Sequence, residues 1–137
     1  MISLPDDARG ALAVGWATVE LDRAVKELSH LLAPGSTFEL APPSVILGAR
    51  CRVGVAAETP LMRIVLLEPD TEGRLAAALA RAGEGWVVTW VLTPWAGVPV
   101  RHVSRVRPGP LGDERQVFGL PPSGPYRLFL EAVPSPP

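Results

Sequence analysis

Apolar residues dominate Leu12–Leu21, and the stretch reads as a strand with Val14, Trp16 and Thr18 on one face. Ala13, Gly15, Ala17 and Val19 fall on the other. Asp22 then stands where a helix N-cap would, and Arg23–Leu32 turns Ala24, Leu28, Leu31 and Leu32 to one side, the spacing of a short amphipathic helix. Ala33-Pro34-Gly35 ends it. Thr37–Ala41 is a weak strand pattern. Val45–Ala56 is a clearer one, because Leu47, Ala49, Cys51, Val53 and Val55 alternate with Gly48, Arg50, Arg52 and Gly54. Met62–Glu68 is a further strand. A second helix, capped by Asp70 or Thr71, runs to about Ala82 on a narrow stripe of Leu75, Ala78, Leu79 and Ala82. Gly83 and Gly85 close it. Trp86–Leu92, Val98–Val106, Gln116–Leu120 and Tyr126–Val133 are the remaining strand patterns.

The order is strand, helix, three strands, helix and four strands, which divides into halves. Val14-Gly15-Trp16 opens the first and Val88-Thr89-Trp90 the second; Arg63–Glu68 closes the first and Arg127–Glu131 the second. Thr93–Gly97 is too short and too interrupted by proline to supply the second half with its own first helix.

Composition narrows the function classes. With 137 residues the chain is one domain over 1–137, large enough for a packed core. A net charge of −1 gives no electrostatic pull toward nucleic acid or an anionic membrane. No window approaches the ~20 apolar residues of a membrane span, and Met1–Asp7 has neither the basic start nor the apolar run of a secretory signal. A cytoplasmic protein is therefore expected. A lone cysteine, Cys51, excludes an internal disulfide and a multi-cysteine zinc site, and its apolar neighbours make it an inert core residue.

Ile64-Val-Leu-Leu-Glu-Pro69, then a helix, then Gly83-Glu-Gly85, resembles the middle of the glyoxalase-like proteins (the vicinal oxygen chelate superfamily), methylmalonyl-CoA epimerases in particular. The resemblance implies an α+β fold of two βαβββ modules curled into a half-open barrel, helices outside and the ligand site on the concave face. The first module covers about 11–69, the linking helix 70–85 and the second module about 86–133, without a helix of its own. It also implies a homodimer. The family's metal ligands fall on Val14, Val65, Val88 and Phe129, or Glu131 if the last strand is shifted by two. Three valines offer a divalent ion nothing to bind, so no metal and no other cofactor is expected.

Carried onto the same concave face are Trp16 beside Val14, Trp86 and Trp90 beside Val88, Arg63 and Leu67 beside Val65, and Glu131. Arg50 and Arg52 join them if the helices cover the odd-numbered face of their strand. Tryptophan supplies stacking area and arginine a forked, charge-assisted contact. An aromatic or anionic small molecule, held without a metal and not transformed, is the function this set implies. Two rivals stay open: an epimerase, lyase or dioxygenase with a site elsewhere, and a scaffold or regulatory domain whose trough is filled by its own tryptophans. The same residues also read blandly, the tryptophans as core or dimer contacts, Arg50 and Arg52 as a solvated face, Glu68 as a cap for the following helix and Glu131 as an unpartnered surface carboxylate. His30 suits a helix C-terminus. His102 and Ser104 share a strand face in a basic run, with no orienting carboxylate in the sequence around them. Pro108–Gly112 reads as a turn rather than a phosphate loop.

Overall fold

β1 (Ala13–Ala17) lies at the centre of a single eight-stranded sheet and is followed by α1 (Leu21–Leu28), which continues as one 3-10 turn to Leu31. β2 (Glu39–Ser44), β3 (Ala49–Val55) and β4 (Arg63–Pro69) complete the first module, and α2 (Arg74–Ala82) leads into the second. That module contains β5 (Gly85–Val91), β6 (Arg107–Gly109), β7 (Gly112–Val117) and β8 (Leu128–Ala132). The computed structural model describes residues 1–5, 11–58, 62–91, 102–120 and 124–133. The expected break of the helix pattern at 93–97, the first part of the 98–106 strand and the tail 134–137 lie outside these.

The strand order is β2-β3-β4-β1-β5-β8-β7-β6. Each module repeats one plan: its first strand runs parallel to its last, and the other two add antiparallel outward. β1 and β5 meet antiparallel in the middle, so the order reads the same from either edge. That is the pseudo-twofold the sequence repeat implies. The sheet then curls until its edges meet, the Val45 N–H donating to the Pro108 carbonyl at 3.3 Å. No helix among the described residues is long and apolar enough to cross a membrane.

Several boundaries differ from the sequence reading for local reasons. β2 extends through Pro42 and Pro43, which an outermost strand with a register shift tolerates because it needs no second row of donors. The residues before Ala49 turn rather than pair, with the Gly48 N–H on the Ser44 carbonyl at 3.0 Å. α1 starts at Leu21, not Arg23, because Glu68 reaches across from β4 and accepts the Leu21 N–H at 3.1 Å. Glu68 thus caps the helix before it in sequence, not the one after. α2 starts at Arg74 behind Gly73 rather than at an Asp70 or Thr71 cap. The Pro108–Gly112 turn is tighter than read: β6 and β7 pair as far as Gly109 and Gly112, leaving two residues between them.

The two faces of the sheet separate two cores. Val14, Ile64, Leu66 and Phe129 pack beneath Leu21, Ala24 and Leu28 of α1, the outer side. Ala13, Ala17, Cys51, Val65, Leu67, Val88, Trp90 and Leu130 form the inner cluster, and Leu75 of α2 packs against it. The odd-numbered face of β3 is therefore the inner one, and Arg50 and Arg52 belong outside.

Candidate functional site

The inner face is occupied at its centre. Gly15 pairs with Val65 on one side and Val88 on the other, while Ala13 pairs with Trp90, and Trp90 with Leu130. Ala13, Val65, Val88, Trp90 and Leu130 are all 0% exposed. The Trp90 ring lies over β1 where Gly15 has no side chain. A Cβ there would stand 2.9 Å from Trp90 Cζ3, 2.8 Å from Leu67 Cδ1 and 3.0 Å from Val88 Cβ. Glycine at this position is a matter of space for the indole.

Trp90 is held by a polar clasp. Its Nε1–H donates to Glu114 Oε1 at 3.0 Å, and the Ser44 hydroxyl donates to Glu114 Oε2 at 2.8 Å. The Leu47 N–H donates in turn to Ser44 Oγ at 3.2 Å. A carboxylate on β7 thus joins the central strand β5 to the far edge β2 and closes the curl. Gly109 makes room for it, since a Cβ there would lie 2.1 Å from Glu114 Oε1. Burial, the largest influence, raises the Glu114 carboxyl above its ordinary value, against the lowering effect of its two hydrogen bonds. Burial likewise pushes the Cys51 thiol up to about 12, so it stays protonated and unreactive.

Of the residues assigned to a concave site, Trp90 and Arg63 face inward. Arg63 pairs with Ala13 and Val55 and lines a shallow groove of 220 Å³ with Glu39, Val53 and Val55. The others lie elsewhere. Trp16 is on the outer face beside Val14, and a bulge opposite Gly15 and Trp16 turns Trp86 to the same side. The two rings meet edge to face at 5.1 Å, and the Trp86 Nε1–H donates to the Ser3 carbonyl at 2.9 Å. Arg50 pairs with Glu68 at 2.8 Å and Arg52 approaches Asp22 at 3.9 Å, both beside the start of α1. Glu131 is an outer-face residue too. It is 5% exposed and accepts from Arg115 Nη2 at 2.8 Å, so it is neither inward nor a free surface carboxylate.

The positions matched to the family's metal ligands need the same correction. Val65 and Val88 are inward, but Val14, Phe129 and Glu131 are not; their inward neighbours are Ala13 and Leu130. None of Ala13, Val65, Val88 and Leu130 has a donor atom. Glu114, the carboxylate of this interior, is taken up by Trp90 and Ser44. Among the described residues no three His, Cys, Asp or Glu side chains are grouped to hold an ion. The donor chemistry of this face does not fit a divalent metal.

The weaker candidates have structural partners. The Ser104 hydroxyl donates to the Arg105 carbonyl at 2.9 Å and accepts the Gln116 N–H at 2.8 Å, so it is not paired with His102. His30 Nε2 lies 2.6 Å from the Ile2 carbonyl. Glu84, between the two glycines, accepts from the Val19 N–H at 3.0 Å, the Thr18 hydroxyl at 3.3 Å and Arg23; these contacts, the backbone one foremost, lower its pKa.

A second open surface was missed by the sequence reading. Between α2 and the starts of β5 and β8 runs a groove of 460 Å³, lined by Ala77, Ala78, Ala82, Val87 and Leu128 with Arg74, Arg81 and Arg127. The spacing of Arg74 and Arg81 was the available signal, two helix turns apart beside small apolar residues.

The architecture is the glyoxalase-like, vicinal oxygen chelate fold. Superposition on solved structures carries that conclusion. A methylmalonyl-CoA epimerase from Mycobacterium tuberculosis matches with a TM-score of 0.65 at 20% identity, over 93% of this chain and 89% of that one. A substituted Streptomyces coelicolor methylmalonyl-CoA epimerase in complex with 2-nitronate-propionyl-CoA gives 0.62 at 18% identity, over 88% and 94%. A hypothetical protein from Bacillus halodurans gives 0.58 at 15% identity, over 93% and 96%. No protein-family model and no curated protein matches the chain.

Proposed function

We propose that this chain binds a small organic anion without a metal and without transforming it. The observation that carries the proposal is the inner face itself: Ala13, Val65, Val88 and Leu130 converge with no donor atom, and Trp90 fills the space between strands. A reaction that polarises its substrate on an ion has no support in such a lining. General acid–base work fares no better, because Glu114 is already bonded by Trp90 and Ser44. Binding is supported by arginines that form no ion pair among the described residues: Arg74, Arg81 and Arg127 beside an apolar groove wall, and Arg63 in a more polar groove that also holds Glu39.

The test is a thermal-shift and calorimetric screen of the purified protein against aromatic acids, aliphatic carboxylates and acyl thioesters, with metal analysis alongside. A saturable rise in Tm with at least one anion, and no stoichiometric metal, is the expected result. Silence across the panel would leave the rival interaction-domain reading, which the Trp90-filled trough favours. Deuterium uptake into methylmalonyl-CoA in heavy water would instead support an epimerase, the activity named for the structural neighbours.

A further inference from the structure

We infer that the groove between α2 and β8 is the binding site, and that it takes an elongated organic dianion: an apolar spacer with a carboxylate at each end. The inference rests on the anion-binding reading above and moves the ligand from the filled barrel to its outer end. The groove's middle is apolar, from Ala77 and Ala78 on the helix to Val87 and Leu128 on the strands. Its cations are spread along it. Arg74 and Arg81 lie seven residues apart on one face of α2, about 10 Å along the axis, and Arg127 stands on the facing strand wall. None of the three makes an ion pair among the described residues, and no acidic residue lines the groove.

Two of these cations are already fixed. The Arg74 guanidinium stacks 4.7 Å from the centre of the Phe118 ring. Arg127 Nη1 donates to the Gly124 carbonyl at 3.1 Å and the Tyr126 carbonyl at 2.9 Å. Holding a charged group in place before binding lowers the ordering cost of the complex. The position of Arg74 adds an independent reason for an anion. It is the first residue of α2, at the positive end of the helix dipole, and the first turn has no acidic residue. A cation there is unfavourably placed, and Asp70 and Glu72 precede the helix without lining the groove. A carboxylate arriving beside Arg74 would meet both the guanidinium and the helix end.

The probes are suberate, whose carboxylates stand about as far apart as Arg74 and Arg81, with octanoate and succinate as single-headed and short controls. Calorimetry should show suberate binding the whole chain at least about tenfold more tightly than either control, the factor expected for one charge-assisted contact. Arg74→Ala and Arg81→Ala should each weaken suberate by about tenfold and leave octanoate changed by less. Ala77→Phe, at an exposed position of α2, keeps the charges and fills the spacer seat, so it should weaken suberate and octanoate alike. Equal binding of suberate and octanoate overturns the dianion assignment. Suberate affinity that survives both arginine variants but falls in Arg63→Ala overturns the location, while the anion-binding reading stands. A wild-type protein that ignores suberate yet responds to another anion in the screen also overturns it. A protein silent to every anion sinks both.

Discussion

The barrel interior and the α2 groove make opposite use of polar groups. Inside, Glu114 has two hydrogen-bond donors, Trp90 lies over a glycine fitted to it, and the surrounding side chains are dry. In the groove three arginines face apolar walls with no acidic partner among the lining residues. A satisfied, close-packed polar contact is a stability device; an unpaired, pre-placed cation beside an open apolar wall is a recognition device. The difference teaches that in this chain the inner face of the curled sheet is packed as core, while the groove beside α2 stays open to solvent.

Removing the indole should break the comparison most severely. Trp90→Ala is expected to cost about 3–5 kcal/mol, the range for a fully buried aromatic replaced by alanine, measured by urea unfolding. Glu114→Ala comes next. It orphans the Trp90 N–H and the Ser44 hydroxyl and should cost about 2–3 kcal/mol. Glu114→Gln retains an acceptor and a donor and should fall within about 1 kcal/mol of wild type. Because Glu114 is raised, its contribution is full below the unfolded glutamate value of about 4.3 and is lost as pH rises through the folded value. A pH series of unfolding midpoints should show that slope in wild type and not in the Gln variant. Gly15→Ala should cost about 1–3 kcal/mol through overpacking, and less than that in a Trp90→Leu background, because the two positions share one space. Arg74→Ala and Arg81→Ala, exposed on the other side of the comparison, should move stability by no more than about 0.5 kcal/mol while weakening suberate binding by about tenfold. A large stability loss in the arginine variants, or none in Trp90→Ala, would erase the distinction.

The sequence carried the element order, the two halves and the apolar character of the central strands, because periodicity and the paired openings at Val14 and Val88 are local signals. Facing was harder. β1 is apolar on both sides, so alternation divides Val14 and Trp16 from Ala13, Gly15 and Ala17 without saying which set looks inward. The larger pair turned out to meet α1, and the small residues to make room for Trp90. β8 was misread by one residue for the same reason, which exchanged Leu130 for Phe129 and Glu131. The bulge that redirects Trp86 and the Ser44–Glu114 contact across 70 residues leave no local trace at all. Arg50 and Arg52 did alternate legibly; only the side covered by helix was inverted.

Gly15 has a consequence for anyone hoping to place an ion in this scaffold. Writing histidines and carboxylates into Ala13, Val65, Val88 and Leu130 would leave the new ligands pointing at an indole already seated over that glycine. Coordination there would mean evicting Trp90 and leaving Glu114 to find a different donor. At least one further substitution, outside the ligand set, separates this barrel from a metal-bearing one.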